Sequence, residues 1–158
     1  MPCPAIFCSE KKTGKESLLI AQNNATNNQH ISDSLFNECK KWEKDVLVYY
    51  KTALNSWKDT HNTFYEYEPK HVLNFIGQYD TIYSTRLHGA VAALSQHKNA
   101  VLIADKDNTR VREAAKLFAS ILPVVENLSA PIEFEVSPQQ IEEFKERTHQ
   151  QYIDILKG

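Results

Sequence analysis

Arg86 and His88 lie two residues apart, at the point where a predicted strand gives way to a predicted helix. Residues 81–85 are a short β-branched and aromatic run, and the residues after Gly89 are small and apolar at helical spacing. Ligands of open α/β sheets bind beyond the carboxyl ends of strands, next to helix N-termini. A guanidinium, an imidazole and the unpaired N–H groups of a first helical turn can together bind an anion. Gly89 would leave room for a ligand to approach the backbone.

Both residue types also have ordinary structural uses at a strand end. Arg86 could pair with a surface carboxylate, and His88 could cap the helix or lie in a polar pocket. The spacing of the two residues leaves these interpretations open beside anion binding. The longer string of residues around them favours a functional role.

Residues 80–93, with the pattern D-x5-R-L-H-G-A-V-A-A, resemble the signature of the polysaccharide pyruvyl transferase family. In that family an acidic residue precedes a hydrophobic strand, which ends in Arg-Leu-His and leads into a helix of small residues. Residues 69–79 resemble the helix before that strand, and residues 100–106 resemble the next strand and loop. Residues 3–7, Cys-Pro-Ala-Ile-Phe, are similar to the Cys-Pro element that ends the family's first domain.

The resemblance implies two Rossmann-like halves in a glycosyltransferase-B-type arrangement, with the active site in the cleft. Family members move the enolpyruvyl group of phosphoenolpyruvate onto sugar hydroxyls, usually giving a pyruvate ketal on a cell-surface polysaccharide or exopolysaccharide. The likeness covers only the hinge element and the C-terminal half. The implied partners are therefore phosphoenolpyruvate, a saccharide acceptor that a lipid or a nucleotide could carry, and a missing N-terminal domain. We expect the isolated chain to lack turnover.

The family signature also implies roles for individual residues. Arg86 and His88 would be catalytic, and both would bind substrate together with Leu87 and Gly89. Arg86 would bind the carboxylate or the phosphate of the donor with two hydrogen bonds. His88 could take part in proton transfer or donate a hydrogen bond to the leaving phosphate, and we favour anion binding. The signature calls for no metal and no cofactor.

Charged residues follow the predicted fifth strand and its loop. Asp105 and Lys106 would contact the donor or the acceptor, and a solvated pair at a strand end explains them equally well. Arg110 and Arg112 lie near the start of the next helix. They would either widen the positive site or pair with Glu113 on a solvent-exposed face.

Strands and helices alternate along the rest of the chain. Strands are predicted at residues 17–21, 45–50, 63–67, 81–85 and 100–104, and helices at residues 31–44, 52–60, 69–76, 89–94 and 108–121, with a short sixth strand at 123–125. The rhythm predicts a Rossmann-like, doubly wound parallel sheet of five to six strands in three α/β/α layers. In the order 3-2-1-4-5, the first and fourth strands would be neighbours. The asparagine-rich residues 22–30 would then face Arg86 and His88.

Three segments divide the chain. Residues 1–16 are predicted to be a hinge segment, residues 17–136 the Rossmann-like domain, and residues 137–158 a C-terminal helix. Ser137, Pro138 and Gln140 form a strong helix start. In two-domain transferases such a helix often crosses back to the partner domain, so we expect it to carry an exposed apolar face.

The composition is that of an ordinary globular domain, with 42% hydrophobic and 24% charged residues and a formal net charge of −2. It gives no sign of a nucleic-acid partner, because a basic excess is absent. The sequence shows neither an apolar run long enough to span a membrane nor a signal peptide. We therefore expect a cytoplasmic protein.

Two other functions remain open at this stage. The chain could be the C-terminal domain of a nucleotide-sugar glycosyltransferase, in which Arg86 would bind a diphosphate and Glu126 a ribose. It could also be a non-catalytic ligand-binding module, which would fit its short length.

Overall fold

The computed structural model describes residues 15–21, 32–49, 57, 62–130, 132 and 135–157. The strands are β1 Lys15–Ala21, β2 Asp45–Val48, β3 Thr63–Tyr65, β4 Tyr79–Ser84, β5 Asn99–Ile103 and β6 Val124–Val125. The helices within these residues are α1 Asp33–Cys39, α2 Pro69–Ile76, α3 Leu87–Ser95, α4 Thr109–Ala115 and α5 Pro138–Lys157, and a 3₁₀ turn at Lys116–Phe118 follows α4.

The six strands form one parallel sheet in the order β3-β2-β1-β4-β5-β6. This order confirms the predicted Rossmann-like fold and the predicted pairing of the first and fourth strands. Leu18 of β1 lies beside Ile82 of β4, and Ile20 lies beside Ser84. The carboxyl ends of β1 and β4 therefore meet at the point where the strand order reverses, which is where ligands of such sheets bind.

Alternate residues of β1 pack into two separate hydrophobic clusters, one on each face of the sheet. Leu18 and Ile20 belong to the cluster that includes residues of α2, α3 and α5, whereas Leu19 belongs to the cluster that includes α1 and Trp57. Both faces of the strand are thus covered, which explains why its sequence is continuously apolar. The three-layer arrangement predicted from the sequence is present.

Several predicted bounds differ from the structure. Helix α1 ends at Cys39 rather than at residue 44, and the indole of Trp42 donates a hydrogen bond to the carbonyl of Asp45 at the start of β2. The helix predicted at 108–121 ends as α4 at Ala115 and continues only as the 3₁₀ turn. The predicted hinge at 1–16 lies almost wholly outside the described residues, as does the asparagine-rich segment 22–30. The predicted helix 52–60 is described only at Trp57, which is buried and helical.

Helix α5 begins as predicted, with a reciprocal cap. The hydroxyl of Ser137 accepts a hydrogen bond from the backbone N–H of Gln140, whose side-chain oxygen accepts one from the backbone N–H of Ser137. Phe144 stacks on Phe118 in the core, with 5.5 Å between ring centroids. Near the other end of the helix, Ile155 and Leu156 are 60% and 85% exposed, so the expected exposed apolar residues are present.

Candidate functional site

The carboxyl end of β4 is fixed by one buried hydroxyl. Ser84 Oγ donates a hydrogen bond to the carbonyl of Arg86 at 2.7 Å and accepts one from the backbone N–H of Arg86 at 3.0 Å. The backbone N–H of Thr85 donates to the carbonyl of Ile20 in β1 at 3.0 Å. The backbone on both sides of Arg86 is therefore held by β1 and β4, and α3 begins immediately afterwards at Leu87.

Gly89 allows α3 to approach the sheet closely. A Cβ atom at this position would lie 2.7 Å from Ser84 Oγ, which is closer than packing allows, and 3.0 Å from Cδ1 of Ile20, which is a tight contact. The space beside Gly89 that the sequence suggested for a ligand is thus occupied by the sheet. A ligand contact with the backbone N–H of Gly89 stays a prediction.

Arg86 is the half-buried N-cap residue of α3, and this position makes no side-chain cap hydrogen bond within the described residues. Its guanidinium carbon lies 5.4 Å from the ring centroid of Tyr49, which directly follows β2. Burial raises the pKa of the Tyr49 hydroxyl, and the nearby guanidinium opposes that rise only in part. The ring is therefore neutral at pH 7 and presents its face to a cation.

Arg86, Leu87 and His88 line a cavity of about 320 Å³ together with residues of α4. The lining is completed by Thr85 on the β4 side and by Arg110, Val111 and Ala114 on the α4 side. No acidic residue is among the described residues that line the cavity. His88 is exposed, so its imidazole is accessible to a ligand. The three neighbouring residues that the sequence singled out thus open into one positively charged cavity.

Asp105 and Lys106 have partners outside this cavity. The carboxylate of Asp105 accepts a hydrogen bond at 2.7 Å from the backbone N–H of Ser32, the N-cap residue of α1. The ammonium nitrogen of Lys106 lies 3.7 Å from a carboxylate oxygen of Glu126, and both side chains are exposed. Asp105 therefore connects the end of β5 to the start of α1. Substrate contacts of Asp105 and Lys106 stay predictions.

The two arginines near the start of α4 face in different directions. Arg112 donates a hydrogen bond at 2.8 Å to the carbonyl of Ala104, just after β5, whereas Arg110 lines the cavity. Glu113, which the sequence offered as their ion-pair partner, lies 2.6 Å from the ammonium group of Lys116. The structure therefore brings Arg110 to Arg86 and His88, but not Arg112.

Sequence reasoning missed Tyr49, which lies inside the second predicted strand. Its contact with Arg86 depends on how β2 and β4 flank β1, so no local pattern around Tyr49 could have indicated it. Among the described residues, no group of three or more His, Cys, Asp or Glu side chains is arranged to hold a metal ion. None of the described helices combines the length and the apolar character needed to cross a membrane.

Comparison with protein families gives one match. The model of the family described as polysaccharide pyruvyl transferase matches residues 1–107, about two thirds of the chain. The matched part includes β1 to β5 and the segment from Arg86 to His88, while α4 and α5 follow it. No curated protein and no solved structure matches the chain.

Proposed function

Because the chain belongs to the polysaccharide pyruvyl transferase family, we propose that Arg86 and His88 bind phosphoenolpyruvate, the donor of the pyruvyl group. The observation that carries the proposal is the cavity at the carboxyl end of β4, where both side chains meet the first turn of α3. Phosphoenolpyruvate has a carboxylate and a phosphate on a small carbon frame. A positive cavity of this size suits such a ligand better than a bulky neutral one.

Each part of the site has a distinct task in this proposal. Arg86 binds one anionic group of phosphoenolpyruvate with two parallel hydrogen bonds, the geometry for which a planar guanidinium is suited. Tyr49, which is not among the residues that line the cavity, restricts the guanidinium through the contact with its ring. The N–H groups of the first turn of α3 add hydrogen bonds and the positive end of the helix dipole. His88 donates a hydrogen bond to the phosphate group.

The proposed reaction joins two sugar hydroxyls to one carbon atom. The oxygen of the first hydroxyl releases its proton and bonds to C2 of phosphoenolpyruvate while a proton adds to the methylene carbon, which becomes a methyl group. The oxygen of the second hydroxyl then bonds to C2 as the bond between C2 and the phosphate oxygen breaks, and its proton leaves with the phosphate. His88 stabilises the departing phosphate. We propose that the saccharide and the remaining proton-transfer group are held by a further domain.

A titration of the isotopically labelled chain with phosphoenolpyruvate tests the proposal. We expect saturable shifts of the backbone amide signals of residues 84–90. Uridine diphosphate, added in a parallel titration, tests the glycosyltransferase alternative, for which Glu126 would have to leave Lys106 to reach a ribose. Shifts with uridine diphosphate alone would favour that alternative. The absence of shifts with either ligand would contradict donor binding by this chain.

Tyr49 provides a second test, because its ring and its hydroxyl can be removed separately. We expect Tyr49→Leu to weaken phosphoenolpyruvate binding by roughly 2- to 30-fold, the equivalent of a cation–π contact of about 0.5–2 kcal/mol. Tyr49→Phe keeps the ring and should bind within about twofold of the unsubstituted chain. Calorimetry gives the affinities, and urea unfolding verifies that both variants fold. Equal losses in the two variants would show that the hydroxyl, not the ring, supports Arg86.

A further inference from the structure

We propose that Arg110 is the second cation of the donor site and binds the anionic group of phosphoenolpyruvate that Arg86 does not bind. The inference rests on the proposed function and extends it to a residue beyond the part of the chain that matches the family, which ends at residue 107. It is carried by the position of Arg110 in the cavity, by the charges around it and by the two charged ends of the ligand.

The neighbours of Arg110 fix the backbone at the start of α4. The side chain of Asn108 accepts a hydrogen bond from the backbone N–H of Val111, and Arg112 is bonded to the carbonyl that follows β5. Arg110 and Ala114 are four residues apart, so they lie on the same side of the helix, and both line the cavity. Arg112, two positions further along, points toward β5 instead.

The electrostatic surroundings of Arg110 favour an external anion. Arg110 is exposed, and its guanidinium has no hydrogen bond or ion pair with any residue in the described ranges. Two acidic residues lie three positions from Arg110 in sequence: Glu113 is paired with Lys116, and Asp107 is not among the residues that line the cavity. The cavity places Arg110 together with Arg86 and His88 and without a lining carboxylate. Like charges in one cavity destabilise each other, and a bound anion removes that cost.

Phosphoenolpyruvate needs more positive charge than one guanidinium supplies. Its carboxylate is fully ionised at pH 7, and a phosphate monoester carries about −1.5 to −2 charges there. Arg86 can form a bidentate pair with only one of these groups. Arg110 approaches the same cavity from a different helix, so the two guanidinium groups can bind opposite ends of one small ligand. Such a clamp would orient the double bond between them.

Calorimetric titration of the chain with phosphoenolpyruvate at low ionic strength tests the inference. We expect Arg110→Gln to raise the Kd about tenfold or more, because a charge-assisted hydrogen bond to the ligand is lost. Arg147→Gln is the matched control, since Arg147 is an exposed arginine on α5 whose Nε donates to the carbonyl of Glu143. It makes the same change of net charge away from the cavity, and its Kd should stay within about twofold of the unsubstituted value.

Two comparisons decide the outcome. If the unsubstituted chain binds phosphoenolpyruvate, Arg86→Ala loses it and Arg110→Gln binds normally, the proposed function stands and the role of Arg110 is overturned. If the unsubstituted chain does not bind, the proposed function itself fails. Pyruvate and inorganic phosphate separate the two ends of the ligand. Arg110→Gln should weaken the binding of one of them and spare the other, whereas equal weakening of both would overturn the assignment of Arg110 to one end.

Discussion

Arg86→Ala is expected to weaken phosphoenolpyruvate binding by roughly 10- to 150-fold, the largest loss of affinity of the single substitutions considered. A hydrogen bond to a charged group contributes about 1.5–3 kcal/mol, and a bidentate pair belongs at the upper end of that range. Alanine also removes the contact with the Tyr49 ring. Arg86→Lys keeps the charge but loses the planar pair of donors, so its affinity should fall between those of Arg86→Ala and the unsubstituted chain.

The measurement is a calorimetric titration, supported by a ligand-dependent unfolding experiment. At a phosphoenolpyruvate concentration about 100 times its Kd, the unsubstituted chain should gain about 2.7 kcal/mol of unfolding free energy. Arg86→Ala should gain much less at the same concentration. Because Ser84 holds the backbone of Arg86 rather than its side chain, the variant should fold without difficulty. Arg147→Ala is the control. Equal affinities of Arg86→Ala and this control for phosphoenolpyruvate would show that Arg86 does not bind it.

The sequence was most informative where local chemistry determines structure. The continuous apolar run in β1 indicated a strand buried on both faces, and Ser137 with Pro138 and Gln140 marked the start of α5. The alternation of strands and helices was enough to identify the parallel sheet. Its strand order also confirmed the expected pairing of β1 with β4. The Arg-Leu-His segment identified both the family and the strand end that opens into a cavity.

The sequence was least informative where distant segments meet. The hydrogen bond from the backbone N–H of Ser32 to Asp105 joins residues 73 positions apart, and the contact of Arg86 with Tyr49 joins the ends of β4 and β2, which lie on either side of β1. Arg110 could be considered from the sequence, but its direction depends on how α4 rests on the end of β5. Such contacts arise from packing, and no periodicity within one segment encodes them.

Gly89 shows how one residue can be recognised correctly and interpreted incompletely. The sequence predicts that its small size leaves room for a ligand at the junction. The structure shows that the missing side chain lets the sheet approach α3 closely, because Ile20 and Ser84 fill the position that a side chain would occupy. The same hydroxyl that Gly89 accommodates also holds the backbone of Arg86. Gly89 and Arg86 are therefore coupled through Ser84.

This coupling leads to the second large effect, which concerns stability. Replacing glycine with alanine in the middle of a helix, where there is space for the methyl group, usually stabilises a protein by about 0.5–1 kcal/mol. At Gly89 we expect the opposite sign, with a loss of about 1–3 kcal/mol of unfolding free energy from overpacking. The new Cβ would have to displace Ser84 Oγ, which cannot rotate away without losing its hydrogen bonds to Arg86. Urea unfolding of Gly89→Ala measures the change, and an increase in stability would contradict this account.

A double-mutant cycle tests whether the contact with Ser84 Oγ causes the destabilisation by Gly89→Ala. Ser84→Ala should itself be destabilising, because the backbone N–H and carbonyl of Arg86 both lose their hydrogen bond with Ser84 Oγ, although the carbonyl still accepts one from the backbone N–H of Ala90. Once the hydroxyl is gone, the closest contact of the new Cβ is the flexible end of Ile20 at 3.0 Å. Gly89→Ala should therefore cost less in the Ser84→Ala background than alone, and the two losses should not add. Strict additivity would show that the strain lies elsewhere.

The same displacement of Ser84 Oγ should also weaken ligand binding. If Ser84 Oγ moves, the backbone of Arg86 moves with it, and a small misplacement of a guanidinium is enough to weaken a bidentate pair. We therefore expect Gly89→Ala to bind phosphoenolpyruvate more weakly even under conditions where it is fully folded. Phe144→Leu is the matched control, because Phe144 is buried against Phe118 and lies outside the cavity lining. A similar loss of stability with unchanged affinity in that variant would show that the close packing of α3, and not stability in general, positions Arg86.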